Sequence, residues 1–212
     1  MGDLPAGMGL TRKRRSAGDD IWVSGTVGDA YAALMCRWGR WQVMPDAEPR
    51  LFARMDRPTP RIALGQALLG AATACADISD GLLADLDHIL TRSGVSAEIE
   101  WERIPLSPVL STLTIARQHE AALAGGDDYE LIFTAPPAAA ERIFEAGLAL
   151  QYARFPHRPY FRKRRNGCCG AHGRRPACCS AEHWLRSFQR GRSRIMESVW
   201  RLQCSRAKIH SP

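Results

Sequence analysis

Three stretches of this 212-residue chain combine carboxylates, glycines and hydroxyl residues at spacings that can do chemistry. In Asp77-Ile78-Ser79-Asp80-Gly81, two carboxylates stand three positions apart where a short apolar run gives way to a helical pattern. One before a helix and one at its start can converge on one side of the turn. Such a pair can hold magnesium, which takes a few protein oxygens and completes its shell with water and phosphate. Backbone N–H groups at the helix start would favour a nearby phosphate. The same spacing also suits a plain cap, with Ser79 or Asp80 accepting from the first turn. Gly125-Gly126-Asp127-Asp128-Tyr129-Glu130 sets three carboxylates in four residues beside a diglycine. They repel one another unless solvated, cation-bound or hydrogen-bonded, and a solvated turn is the simple alternative. Ser24-Gly25-Thr26-Val27-Gly28-Asp29 is a Gly-rich strand-to-helix turn without the Lys-[Ser/Thr] ending of a P-loop. Tight packing explains it more simply than phosphate binding does. His88 and His119 have no cysteine or carboxylate at a ligand spacing and read as surface or core residues; Cys36 and Cys75 read as reduced core thiols.

The elements that must position these groups follow from periodicity. Ile21–Val23 is a β-prone run, and Ala30–Met35 reads as a helix packed on it. A polar, Pro-containing stretch extends through Arg57. Thr59 suits an N-cap and Pro60 the first helical position of a helix through Leu69. Ala72–Ile78 is short and apolar. The next helix carries Leu82, Leu83, Leu86, Ile89 and Leu90 on one side, and Gly94 closes it. Val95–Trp101 alternates like a half-buried strand. Ser107-Pro108 opens a helix to about Ala116, Tyr129–Thr134 is strand-like, and Pro136-Pro137 precedes a helix over Ala138–Glu145. The pattern predicts an α+β fold, a mixed sheet with helices packed on it, over residues 18–150.

Charge divides the chain. Residues 1–150 hold 14 Lys and Arg against 20 Asp and Glu, whereas residues 151–212 hold 15 against 2, with five of the seven cysteines. No apolar run approaches the ~20 residues of a membrane span. The start lacks the apolar stretch of a secretory signal, so a cytoplasmic protein is expected. From Gln151 neither helical nor strand periodicity survives, and residues 151–212 read as a basic, Cys-rich tail, disordered or translated out of frame. Zinc binding by Cys168, Cys169, Cys178 and Cys179 is an alternative, although adjacent cysteines meet the usual ligand spacing poorly. Nucleic-acid binding by the arginines with Trp184, Phe188 and Trp200 is another.

Four stretches in order, GDDIWVSGTVGDAYAAL, RPTPRIALGQAL, ADISDGLLADLDHI and ALAGGDDYELIFTAPP, resemble the central and C-terminal part of the thiamine-monophosphate kinases. That family lies in a superfamily with aminoimidazole ribonucleotide synthetase and selenophosphate synthetase. The resemblance covers about residues 3 to 150 and implies transfer of the γ-phosphate of ATP to thiamine monophosphate, with several magnesium ions and no phosphoenzyme. It implies Asp77 and Asp80 as magnesium ligands, Ser79 and Arg12 as ATP contacts, and Glu130 as a substrate contact. The sequence after Arg12, Lys13-Arg14-Arg15, departs from the family's usual small residue, Gly and Ala.

The resemblance also implies a homodimer and an N-terminal α/β domain with further acidic motifs. Residues 1–17 read as a linker remnant of such a domain, and the family's C-terminal aromatic contact has no match in residues 151–212. Phosphoryl transfer depends on positioning and on metals that neutralise charge, so little kinase activity is expected of this chain alone. The alternatives are a non-catalytic module with a basic nucleic-acid-binding tail, and a frameshifted product without function.

Overall fold

In a computed structural model, the structure describes Gly7 and residues 9–12, 18–150 and 161–165. Five strands form one sheet: β1 (Asp20–Val23), β2 (Ala74–Asp77), β3 (Val95–Ile99), β4 (Leu131–Ala135) and β5 (Phe161–Arg165), in the order β2-β4-β1-β5-β3. The helices are α1 (Asp29–Arg37), α2 (Glu48–Asp56), α3 (Ile62–Ala67), α4 (Leu82–Ser93), α5 (Ile115–His119) and α6 (Ala140–Ala149). No helix of the described residues is long and apolar enough to cross a membrane.

The α+β expectation is met, with one correction: a mixed sheet was expected, and every pairing described is antiparallel. Alternate residues of a strand face opposite sides, and here both sides are covered. Ile21, Val23, Ala74, Ala76 and Ile132 join Leu82, Leu86 and Ile89 of α4 and Ala32 and Ala33 of α1 in one core cluster. Trp22, Phe133 and Ala135 join Leu64 of α3, Leu68 and Ile143 of α6 in the other. Trp22 stacks on Phe133 across β1 and β4, with ring centroids 6.3 Å apart. Because helices lie over both faces, β1 is buried along its whole length and reads as a continuous apolar run.

Helix α2 falls in the stretch read as polar and irregular. Its Pro49 occupies the first turn, where the missing N–H costs nothing. Leu51 is buried, and Phe52 and Met55 pack beside it against the core. For α3, Arg61 rather than Thr59 is the capping position, and no side chain caps it. The helix expected from Ser107 to Ala116 is broken into a 3₁₀ turn at Leu110–Thr112 and the short α5. Ser107 Oγ accepts from Leu110 N at 3.0 Å and donates to Asp29 Oδ1 at 2.5 Å, tying this start down to α1. Gly94 ends α4 in the left-handed conformation, as expected.

Strand β5 lies within the segment expected to be irregular. Its backbone pairs with β1 at Asp20↔Arg162 and Ile21↔Phe161, and with β3 over five positions. Ladder pairing uses the backbone, so a strand between two others can form without the side-chain alternation by which strands are read from sequence. The tail cysteines and aromatics, and with them the zinc, nucleic-acid and out-of-frame readings, lie outside the described residues. So does most of residues 1–17.

Candidate functional site

The three motifs meet in one place because two loops are zipped together by their backbones. The loop after β2 and the loop before β4 exchange Ile78 N to Glu130 O at 2.7 Å, Tyr129 N to Ile78 O at 2.9 Å and Asp127 N to Ser79 O at 3.0 Å. Glycine is required at the crossing: a Cβ on Gly126 would stand 2.2 Å from Ser79 O. The diglycine is thus a close-packed seam.

In this seam the carboxylates divide by direction. Asp128 is 2% exposed and turns inward to the start of α1, where its side chain accepts from Gly28 N at 2.6 Å and Ala30 N at 3.4 Å. Burial pushes its carboxyl up to about 7, against the lowering effect of those two N–H donors. Glu130, 1% exposed, is gripped by Arg61 through Nε and Nη2 at 2.7 and 2.6 Å, by Arg54 Nη2 at 2.9 Å and by the Ser24 hydroxyl. Burial alone would raise the Glu130 carboxyl. The hydrogen bonds from Arg61 and Ser24, with the charges of Arg61 and Arg54, outweigh it and hold the carboxyl below its ordinary value.

The outward-facing set is different. Asp77, the last residue of β2, is exposed, and so are Asp80 and Asp127. Tyr129 is 43% exposed, and its hydroxyl donates to Asp127 Oδ1 at 3.2 Å. That hydrogen bond, the Asp127 charge, desolvation and, to a smaller degree, the charges of Asp77 and Asp80 raise the phenol's pKa. Arg12 approaches Asp77 at 4.0 Å. Asp127 and Tyr129 both have positive φ, 65° and 51°. For tyrosine this conformation is uncommon, and such outliers gather at functional sites.

Asp77, Asp80, Ser79 and Arg12 are therefore neighbours, on or beside the loop after β2. Ser79 is half-buried, and its N–H and that of Asp80 donate to Asp85 Oδ2 at 2.9 and 3.0 Å. Asp85, one turn into α4 and 1% exposed, thus ties the loop before the helix back onto it, while the capping position is Gly81, with no side-chain cap from Ser79 or Asp80, and the Asp80 carboxylate stays exposed. Glu130 is not with this set: no side of it opens to solvent, and what it holds are two partly exposed guanidinium groups. Arg54 was missed because α2 was, and Arg61 because it stands at the start of α3, a stretch read only for its helical pattern. Asp85 carried a signal that was passed over, a carboxylate three positions before His88. His88 is exposed, in keeping with the surface reading, and ligand atoms of Asp80, Asp85 and His88 all lie within 4.8 Å of one another.

The exposed oxygens fit magnesium. Mg²⁺ keeps several waters and takes one or two protein carboxylates with phosphate oxygens, and Asp77 and Asp80 offer that many on an open face. The Gly-rich turn after β1 is packing, as expected: a Cβ on Gly25 would stand 2.6 Å from the Glu130 carboxylate.

Residues 16–149 match the AIR synthase related protein family, C-terminal domain. The chain belongs to this family. Among relatives of this C-terminal domain, the thiamine-monophosphate kinase of Haemophilus influenzae is 47% identical over 131 residues, 61% of this chain and 40% of that protein. The crystal structure of thiamine-monophosphate kinase from Stenotrophomonas maltophilia superposes with a TM-score of 0.69 at 39% identity, over 76% of this chain and 52% of that one. AaThiL complexed with AMPPCP and TMP aligns with a TM-score of 0.55 at 38% identity, over 61% of this chain and 43% of that one. The chain spans about two-fifths of the length of the curated relatives it matches.

Proposed function

We propose that this chain is the magnesium- and nucleotide-binding part of a thiamine-phosphate kinase, which transfers the γ-phosphate of ATP to the phosphate of thiamine monophosphate to give thiamine diphosphate and ADP. The relatives' names support the reaction. The observation that carries the reading for this chain is the exposure of Asp77 and Asp80, with Arg12 beside Asp77, while Asp85, Asp128 and Glu130 are turned inward and consumed.

In phosphoryl transfer the protein supplies mainly position and charge stabilisation. Bound magnesium would neutralise charge on the phosphate oxygens and fix their geometry. Asp77 and Asp80 would hold that ion. Arg12 would leave its long contact with Asp77 for a phosphate oxygen, a better partner for a guanidinium, and the Ser79 hydroxyl would add a hydrogen bond to ATP. The seam at Gly126 matters because a loop that shifts by an ångström misplaces both carboxylates.

Glu130 serves the substrate side by holding Arg54 and Arg61 in place. The matched part is only about two-fifths of the relatives' length, and full transfer activity belongs to that longer protein, a cytoplasmic homodimer in this reading. Calorimetric titration with the non-hydrolysable analogue AMPPCP tests the proposal. Binding is expected in the presence of magnesium and not after its removal with a chelator. Equal binding with and without magnesium would refute it.

A further inference from the structure

Asp80, Asp85 and His88 offer a donor set unlike the Asp77–Asp80 pair, because one donor is an imidazole. We infer that these three residues form a site for a divalent transition-metal ion, with manganese(II) the best match, sharing Asp80 with the proposed magnesium pair. It rests on that reading only through this shared carboxylate.

The local fold brings the three side chains together. Asp85 and His88 are three positions apart on α4 and so lie on one helical face. Asp80 stands just before the helix, and its own N–H donates to Asp85 Oδ2 at 3.0 Å, which draws the turn back over that face. One ligand atom from each residue lies within 4.8 Å of the other two. Asp85 is the fixed member, buried and hydrogen-bonded to two backbone N–H groups. Asp80 and His88 are exposed, and coordination would draw their ligand atoms closer together than they stand here. A rigid, hydrogen-bonded carboxylate with two adjustable partners is the usual build of a metal centre.

The donors select the ion. Imidazole suits zinc, copper, iron and nickel, whereas carboxylate and water suit magnesium, calcium and manganese. Two carboxylates with one imidazole, and open positions for water, match an ion that accepts both donor types. Magnesium strongly prefers oxygen and gains little from His88.

The test is pulsed electron paramagnetic resonance of the full chain loaded with manganese(II), read for coupling to a directly bound ¹⁴N. The wild type should show the coupling, and His88→Gln should lose it with at least about a tenfold drop in manganese affinity. Asp85→Asn can still accept the two N–H groups, so the turn survives, and it should weaken manganese binding comparably. Absence of the coupling in the wild type would overturn the inference. So would its persistence in His88→Gln, which would put the ion on another histidine. Magnesium-dependent AMPPCP binding, measured on the same variants, is expected to survive His88→Gln. Its absence in the wild type would refute the kinase reading without bearing on the nitrogen signal.

Discussion

Asp128 and Glu130 differ from Asp127, Asp77 and Asp80 in nothing that composition records, yet the two groups live in opposite surroundings. The inward pair is buried and fully engaged: Asp128 holds the start of α1, and Glu130 binds two arginines and a serine. The outward set is exposed, and of it Asp127 accepts from the Tyr129 hydroxyl. Within four residues, one loop both builds the scaffold and presents groups to solvent. An acidic motif is therefore not one site, and each carboxylate must be assigned by what it touches.

The two groups can be separated by substitution. Glu130→Ala would leave the partly exposed Arg54 and Arg61 without their buried carboxylate partner. Breaking a buried ion pair in this way costs about 3–5 kcal/mol. Chemical denaturation should show a loss of that size, and a loss under about 1 kcal/mol would mean that Glu130 is not the anchor described.

The inward pair should also set the pH dependence of stability, with opposite signs. Unfolded Asp ionises near pH 4, whereas folded Asp128 does so at about 7. Between those values the unfolded chain releases a proton that the folded one keeps, so this residue's contribution falls as pH rises from about 4 to about 7, by at most ~4 kcal/mol. Asp128→Asn, which removes the titration and keeps one acceptor oxygen for the Gly28 N–H, should flatten that fall. Glu130 acts the other way: its folded value is lowered, so its stabilisation is present above the unfolded pKa and is lost as acid takes the pH down through the folded one. Denaturation midpoints measured from about pH 2 to about pH 8 on the wild type and Asp128→Asn separate the two contributions.

The seam itself should be less costly to disturb than the ion pair. Gly126→Ala places a methyl group 2.2 Å from Ser79 O, and the backbones must part. Overpacking of this kind costs about 1–3 kcal/mol, seen as a lower melting temperature. At the far end of the scale, Asp77→Asn and Asp80→Asn touch exposed groups and should change stability by no more than about 0.5 kcal/mol.

Much of the scaffold was legible in the sequence, because burial imposes a period. The apolar side of α4 and its closing Gly94, the β1 run and the strand before Pro136 all stand where the residues place them. What escaped has physical reasons. Helix α2 hides because Pro49 looks like a breaker and its outer face is polar, while only Leu51 is fully buried. Strand β5 carries no alternation, and its placement between β1 and β3 is a matter of backbone pairing. Strand direction was not legible either, since periodicity is the same in parallel and antiparallel strands. For the site, spacing found Asp77 and Asp80, but it could not tell that Asp85 would reach back to hold their turn or that Glu130 would face inward.

The most direct test of this division is the magnesium-dependent affinity for AMPPCP of an Asp77→Asn, Asp80→Asn double variant, compared with the wild type at equal folded stability. We expect the double variant to melt like the wild type and to lose at least about tenfold in affinity, the energetic equivalent of one or more charge-assisted contacts. Unchanged affinity in a folded double variant would contradict the assignment of the outward carboxylates to nucleotide-bound metal.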